Sequence, residues 1–204
     1  SYINCSAEIK ALSDIICTSG NAEKLVDSLP KNEKIIFAPD RNLGGYINRI
    51  TGRNMVLWNG ACEVHDALTP DTILLYKQQY PEAKVIAHPE CNDAVLQVVD
   101  FVGSTNAMLK YVKNTDVKQF IVATETGIVY QMKNENPGKE FIIVSNSKEC
   151  NCNDCRYMKM NTLEKLYSCL DTEQPEIIMN SELIEKAKVP IIRMLEISKS
   201  LNLI

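Results

Sequence analysis

The sequence predicts an α/β fold made of repeated three-layer αβα units, and three observations carry that reading. Short apolar runs alternate with stretches of helical spacing, the pattern of strands layered between helices. The order of these elements then recurs within the chain. At 204 residues, 45% hydrophobic and 24% charged, the chain is long enough for one large domain or two small ones with real cores.

Taken in order, the chain opens on Ser1-Tyr2-Ile3-Asn4, which reads as the end of a strand that has no room for its beginning. Helices are expected over 6–12 and 20–28, then a strand over 34–38 (KIIFA), a helix over 43–50 and a strand over 54–58 (NMVLW). Helices over 70–80 and 92–99 flank a strand over 84–87 (KVIA). A helix over 106–113, a strand over 119–123 (QFIVA), a helix over 129–133 and a strand over 140–144 (EFIIV) complete the alternation. The remainder turns helical. Asn161 with Glu164 has the spacing of a capping box for a helix over 161–170, and Ser181 with Glu182 can start a last helix over 181–201. Pro190 is expected to kink or interrupt that helix.

The repeat appears when Cys17-Thr18-Ser19-Gly20-Asn21-Ala22 is laid over Val102-Gly103-Ser104-Thr105-Asn106-Ala107. Tyr2-Ile3-Asn4-Cys5 then falls on Ala87-His88-Pro89-Glu90, and Ile36-Phe37-Ala38-Pro39-Asp40 on Ile121-Val122-Ala123-Thr124-Glu125. Each copy closes on a strand followed by cysteine: Cys62 in the first, and Cys150, Cys152 and Cys155 in the second. One unit is therefore expected over 1–66, a second over 67–160, and C-terminal helices over 161–204 packing back on the core. The site of such a protein is expected where the carboxyl ends of its strands converge.

A net charge of −4 offers no footprint for a polyanion, so neither nucleic acid nor an anionic membrane is expected as a partner. No run approaches the ~20 apolar residues of a membrane span. The 8 cysteines come without a signal-peptide pattern, which favours a reducing, cytoplasmic setting where clustered thiols more often mean metal or catalysis. The run from Cys150 through Cys152 to Cys155 can chelate zinc or an iron–sulfur cluster, although a structural zinc site would need a second pair of ligands. Cys62 stands alone after the Gly60 turn. A cubane cluster needs three or four thiolates, and a third copy of the unit, lying upstream, would supply the missing one. Cys5, Cys17, Cys91 and Cys169 lie in or beside helical patterns and are expected to pack as small hydrophobes.

Both turns rich in Ser and Thr precede helices, where they either cap the helix or offer hydroxyls and free N–H groups to an anion. Finding the device twice points to a substrate with two or more anionic groups. His88 and Glu90, at the end of a strand, form a candidate acid/base pair. Tyr2 and Asn4 hold the equivalent turn of the first copy, and His65 follows Cys62 by three residues.

At these residues the chain resembles the quinolinate synthase family, iron–sulfur enzymes of de novo NAD biosynthesis. The resemblance runs from Tyr2-Ile3-Asn4-Cys5 through Trp58-Asn59-Gly60-Ala61-Cys62-Glu63-Val64-His65, His88-Pro89-Glu90 and Val102-Gly103-Ser104-Thr105 to Met158-Lys159-Met160-Asn161. It implies three α/β units about a pseudo-threefold axis, two of them in this chain, around one [4Fe-4S] cluster whose open iron is a Lewis acid. The implied reaction condenses iminosuccinate with dihydroxyacetone phosphate to quinolinate, losing phosphate and water. L-aspartate oxidase or aspartate dehydrogenase would supply the iminosuccinate.

Cys62 matches the family's middle cluster ligand. Cys155 matches the last, because Arg156-Tyr157-Met158-Lys159-Met160-Asn161 follows it, and Cys150 and Cys152 are then spare thiols. The implied substrate positions are Tyr2, Ile3, Asn4, Ser19, His65, His88, Pro89, Glu90, Ser104 and Thr105. Among them Glu90 is the expected general base, and His88 recognises a carboxylate or relays a proton. Tyr2 assists enolisation by hydrogen bonding, Ser19 and Thr105 take the anionic ends, and His65 touches substrate or product. The family's amino-terminal third, with the first cluster cysteine, has no counterpart here. The competing expectation is a catalytically silent module with a metal on Cys150, Cys152 and Cys155.

Overall fold

The computed structural model of the chain describes residues 1–145 and 153–204. The helices and strands alternate as α1 (Ala7–Ala11), α2 (Ala22–Ser28), β1 (Ile36–Phe37), α3 (Arg41–Thr51), β2 (Val56–Leu57), α4 (Glu63–Asp66) and α5 (Pro70–Gln79). They continue as β3 (Lys84–Ala87), α6 (Asp93–Leu96), β4 (Phe101–Val102), α7 (Thr105–Lys113), β5 (Gln119–Ala123), α8 (Gly127–Glu135) and β6 (Glu140–Ile143). A 3-10 turn (Met158–Met160), α9 (Leu163–Thr172) and α10 (Ser181–Ser200) follow.

Four strands form one parallel sheet in the order β4-β3-β5-β6. The apolar runs of β3 and β5 are buried on both faces, as inner parallel strands must be. One face packs on Leu68, Ile73, Val95 and Ile121; the other carries Ile86, Met108, Phe120, Val122 and Met132. β1 and β2 form a separate two-stranded parallel sheet. Its core gathers Ile16, Leu25, Phe37, Leu43 and Ile47, closed by Met194 from α10. At roughly 1.5–3 kcal/mol per buried large apolar side chain, these clusters are the main favourable term of the fold.

An isolated parallel bridge joins Tyr2 to Cys17. In the register of the repeat this pair falls on Ala87 and Val102, which join β3 to β4. Likewise Ile36 opposite Val56 answers to Ile121 opposite Ile142, with a one-residue slip in β6. The helices begin on side-chain caps that satisfy their first amides: Asp40 for α3, Thr69 for α5, Asn92 for α6 and Ser104 for α7. Gly44 lets α3 settle on the small sheet, since a Cβ there would stand 2.6 Å from Leu57 and 2.8 Å from Phe37. Gly52, at φ 67°, ends α3 in the left-handed conformation that glycine adopts freely.

Four expectations are corrected. Thr162, not Asn161, caps α9 through the amide of Lys165, and Asn180, not Ser181, caps α10 through the amides of Glu182 and Leu183. The cap lies one place downstream of the expected residue in α9 and one place upstream in α10, in each case the residue whose side chain reaches the first-turn amides. α10 runs unbroken through Pro190, because Ala187, Pro190, Met194 and Ser198 form one buried stripe whose packing outweighs the lost hydrogen bond. Cys169 is exposed rather than packed, since α9 buries none of its residues. β4, unforeseen, is only two residues long, too short to show a period.

Candidate active site

The centre is built on the end of β3. Its buried run carries the chain into the core and then turns through His88, Pro89 and Glu90, all buried at the carboxyl edge of the sheet. α4, entered through Cys62 as its N-cap, brings His65 to the same place. The two imidazoles stack with centroids 4.7 Å apart and planes 19° apart. Glu90 Oε2 lies 3.1 Å from His65 Nδ1 and 3.7 Å from His88 Nδ1. The other nitrogen of His65, Nε2, is 2.9 Å from Thr124 Oγ1 at the end of β5. A donor atom each from Cys62, His65 and Glu90 lies within 4.8 Å of the other two.

Proton affinities follow from this packing. Burial opposes a charged His65, but the Cys62 thiol and the Glu90 carboxylate beside it win and raise the ring to about 9. Burial pushes His88 down to about 4 against the pull of Glu90, with His65 adding to the drop. The backbone agrees with a neutral His88, for the Glu90 amide donates to its Nδ1 over 3.4 Å. Burial raises Glu90, yet the two histidines and Tyr2 hold it below the ordinary carboxylate range. His65 likewise overcomes burial to lower the Cys62 thiol. Desolvation raises Tyr2, which also interacts with Glu90 and Ser19 and so ties the first copy's turn to the centre.

Several groups that hold this geometry were not singled out by the sequence. Asp40, only 4% exposed, accepts from the amides of Leu43 and Cys62, each over 2.8 Å. Asn42 donates to Asp66 Oδ1 and to the Glu90 carbonyl, each over 3.0 Å, while Arg41 pairs with Asp66 over 2.8 Å. The repeat contained a signal for Asp40, because its counterpart there is Glu125. Glu125 Oε1 receives the amide of Cys155 over 3.5 Å. Both carboxylates thus face the backbone of the cysteine that closes their own copy. Cys155 is half-buried and outside the group of Cys62, His65 and Glu90, but the next residue, Arg156, pairs with Glu63 over 2.8 Å. Cys150 and Cys152 lie outside the described residues.

The two hydroxyl-bearing turns face each other across a cleft of about 630 Å³ whose lining includes Thr18, Ser19, Ser104, Thr105 and Lys110. They are close: a Cβ on Gly20 would stand 3.6 Å from Ser104 Oγ. Ser104 spends its hydroxyl on capping α7, and the Thr18 amide and hydroxyl both meet Asn21 Oδ1, so capping is part of what these turns do. Ile3 packs against the first unit's core, and Asn4 and Thr105 are exposed.

The donor set suits a soft or borderline metal centre. His65 Nδ1 is buried, approaches Glu90 outside hydrogen-bond geometry and has no hydrogen-bond partner, and it borders a thiol whose pKa is lowered. No helix among the described residues is long and apolar enough to cross a membrane.

Fold and site together define an α/β protein with a thiol, two imidazoles and a carboxylate converging at strand carboxyl ends. The chain belongs to the quinolinate synthetase A protein family (NadA), whose match covers residues 1–196. It is 54% identical over 198 residues to the quinolinate synthase of Synechocystis sp., 54% over 200 residues to that of Chloroherpeton thalassium and 55% over 199 residues to that of Thermosynechococcus vestitus. These alignments cover 97%, 98% and 97% of the chain, which spans 62% of the length of each relative.

Proposed function

We propose that the chain carries most of the catalytic centre of a quinolinate synthase, condensing iminosuccinate with dihydroxyacetone phosphate to quinolinate with loss of phosphate and water. The observation that carries this reading is the convergence of Cys62, His65, His88 and Glu90 at the end of β3, beside a cleft lined by two hydroxyl turns. Cys62 and Cys155 would hold a [4Fe-4S] cluster together with a cysteine from a third unit outside this chain, the three units standing about a pseudo-threefold axis. When bound, the cluster supplies an open iron as a Lewis acid. Asp40 and Glu125 fix the backbones of the two cysteines. Glu90, flanked by both imidazoles, accepts a proton from the substrate, and Tyr2 beside it donates to a developing enolate oxygen. His88 is a neutral hydrogen-bonding partner, and His65 holds Glu90 in place. Ser19, Ser104 and Thr105, with Lys110 nearby, take anionic substrate ends. An oxidase or dehydrogenase acting on aspartate would supply the iminosuccinate, in the cytoplasm.

Anaerobic reconstitution of the whole protein is expected to give brown material with iron and sulfide. Cys62→Ala and Cys155→Ala should each lose that absorbance, and intact colour in both overturns the ligand assignment. Glu90→Gln should abolish quinolinate formation, a drop of at least about 100-fold, while leaving the absorbance unchanged. A second reading has one observation in its favour, the three donors within 4.8 Å, which suit a single zinc ion. Stoichiometric zinc without iron in anaerobically purified protein would favour it.

A further inference from the structure

Resting on the catalytic reading of Glu90 given above, we propose that Thr124 is a positioning residue of this centre. Its hydroxyl holds the His65 ring by Nε2 and so keeps Nδ1 turned toward the Glu90 carboxylate.

The register of the large sheet puts Thr124 there. β3 and β5 run parallel with Ala87 opposite Ala123, and the His88 amide donates to the Ala123 carbonyl over 3.3 Å. The next residue of each strand therefore emerges at the same carboxyl edge, His88 from β3 and Thr124 from β5. His65 arrives from α4, stacks on His88 and presents Nε2 to Thr124 Oγ1 at 2.9 Å. Thr124 is 4% exposed and His65 6%, so the bond forms away from solvent.

Neither partner has an alternative. Among the described residues His65 Nδ1 has no hydrogen-bond partner, and the Thr124 hydroxyl bonds only to His65. Yet the ring could lie in its slot either way up, because a half-turn about the Cβ–Cγ bond exchanges Nδ1 with Cδ2 and Nε2 with Cε1 and keeps the same outline. Turned over, it would show Glu90 a C–H group. Stacking on His88 resists tilting of the ring but does not tell these two orientations apart. Thr124 does, since its bond is made only when Nε2 lies at the hydroxyl. A hydroxyl serves either protonation state of the ring, accepting from an Nε2–H or donating to a bare Nε2.

The hydroxyl is not needed to build the strand end. In the repeat read from the sequence Thr124 falls on Pro39, which likewise follows a strand and precedes a carboxylate, Asp40. Proline serves there without a hydroxyl. A buried hydroxyl is costly unless it is bonded, and valine of the same shape would avoid that cost, so the bond to His65 is what accounts for threonine at 124.

Two substitutions separate the hydroxyl from the packing. Thr124→Val keeps the shape and removes the hydroxyl, whereas Thr124→Ser keeps the hydroxyl and leaves a gap where the methyl group stood. In the whole cluster-loaded protein, Thr124→Val is expected to lower kcat for quinolinate formation at least about tenfold with KM changed less than about threefold, and Thr124→Ser to stay within about threefold of the parent. A role in packing alone gives the opposite order, with Thr124→Ser the more damaged. The second readout needs neither cluster nor turnover. The chain has 2 histidines, so a long-range proton–nitrogen correlation spectrum of its imidazoles contains only two rings. The His65 Nε2 signal should shift with Thr124→Val, and with Thr124→Ala as a second hydroxyl-free variant, and hold its place with Thr124→Ser. Parent kcat in Thr124→Val, an equal loss in Thr124→Ser, or a His65 signal indifferent to the hydroxyl each overturns the proposal. If the parent forms no quinolinate, the catalytic reading fails by itself, and the imidazole spectrum still decides whether Thr124 holds His65.

Discussion

Ile121 and Ile36 align in the repeat read from the sequence, yet the first is fully buried and the second is 77% exposed. β5 pairs with β3 and β6, whereas β1 pairs among the described residues with β2 alone, and each strand is followed by a carboxylate, Glu125 or Asp40. What differs is the neighbour: α5 and β3 cover Ile121, and nothing described covers Ile36. Burial is conferred by packed elements, so equal local sequence does not mean equal energetic weight.

That contrast can be broken most directly by paired truncation. Ile121→Ala is expected to cost about 2–5 kcal/mol by leaving a cavity in a closed core. Ile36→Ala should stay within about 0.5 kcal/mol. Urea midpoints measured on the same chain compare the two, and equal costs would mean that the first unit is as well packed as the second. A smaller difference is expected for the carboxylates. Asp40→Ala removes a helix cap and the acceptor for Cys62, which costs about 1–2 kcal/mol, whereas Glu125→Ala loses a longer contact to Cys155 and should cost less than about 1 kcal/mol. Denaturation of the two variants gives the order. The smallest effect belongs to the link between the units' cysteine segments. The Arg156 pairing with Glu63 is largely exposed, so Arg156→Ala should change stability by less than about 1 kcal/mol, and 0.5 M salt should erase the difference.

The runs KVIA and QFIVA were legible as strands because both faces of an inner parallel strand are apolar and turns bound them. The small sheet was legible in place but not in extent: β1 and β2 are two residues each where five were expected, since part of their pairing is missing. His88 and Glu90 could be singled out from their position after a strand. Their contact with His65 could not, because α4 and β3 meet only in three dimensions. The same holds for Thr124, which reads as an ordinary strand-end residue until His65 is seen against it. Among the clustered cysteines, spacing alone left three candidates, and it was the resemblance that pointed to Cys155.

Pro190 shows how the first unit limits its own exposure. The Pro190 carbonyl accepts from the Ile16 amide over 3.3 Å, on the side of residues 15–17 that faces away from Ser1 and Tyr2. α10 therefore stoppers the outer edge of this strand, where another chain could otherwise add without limit.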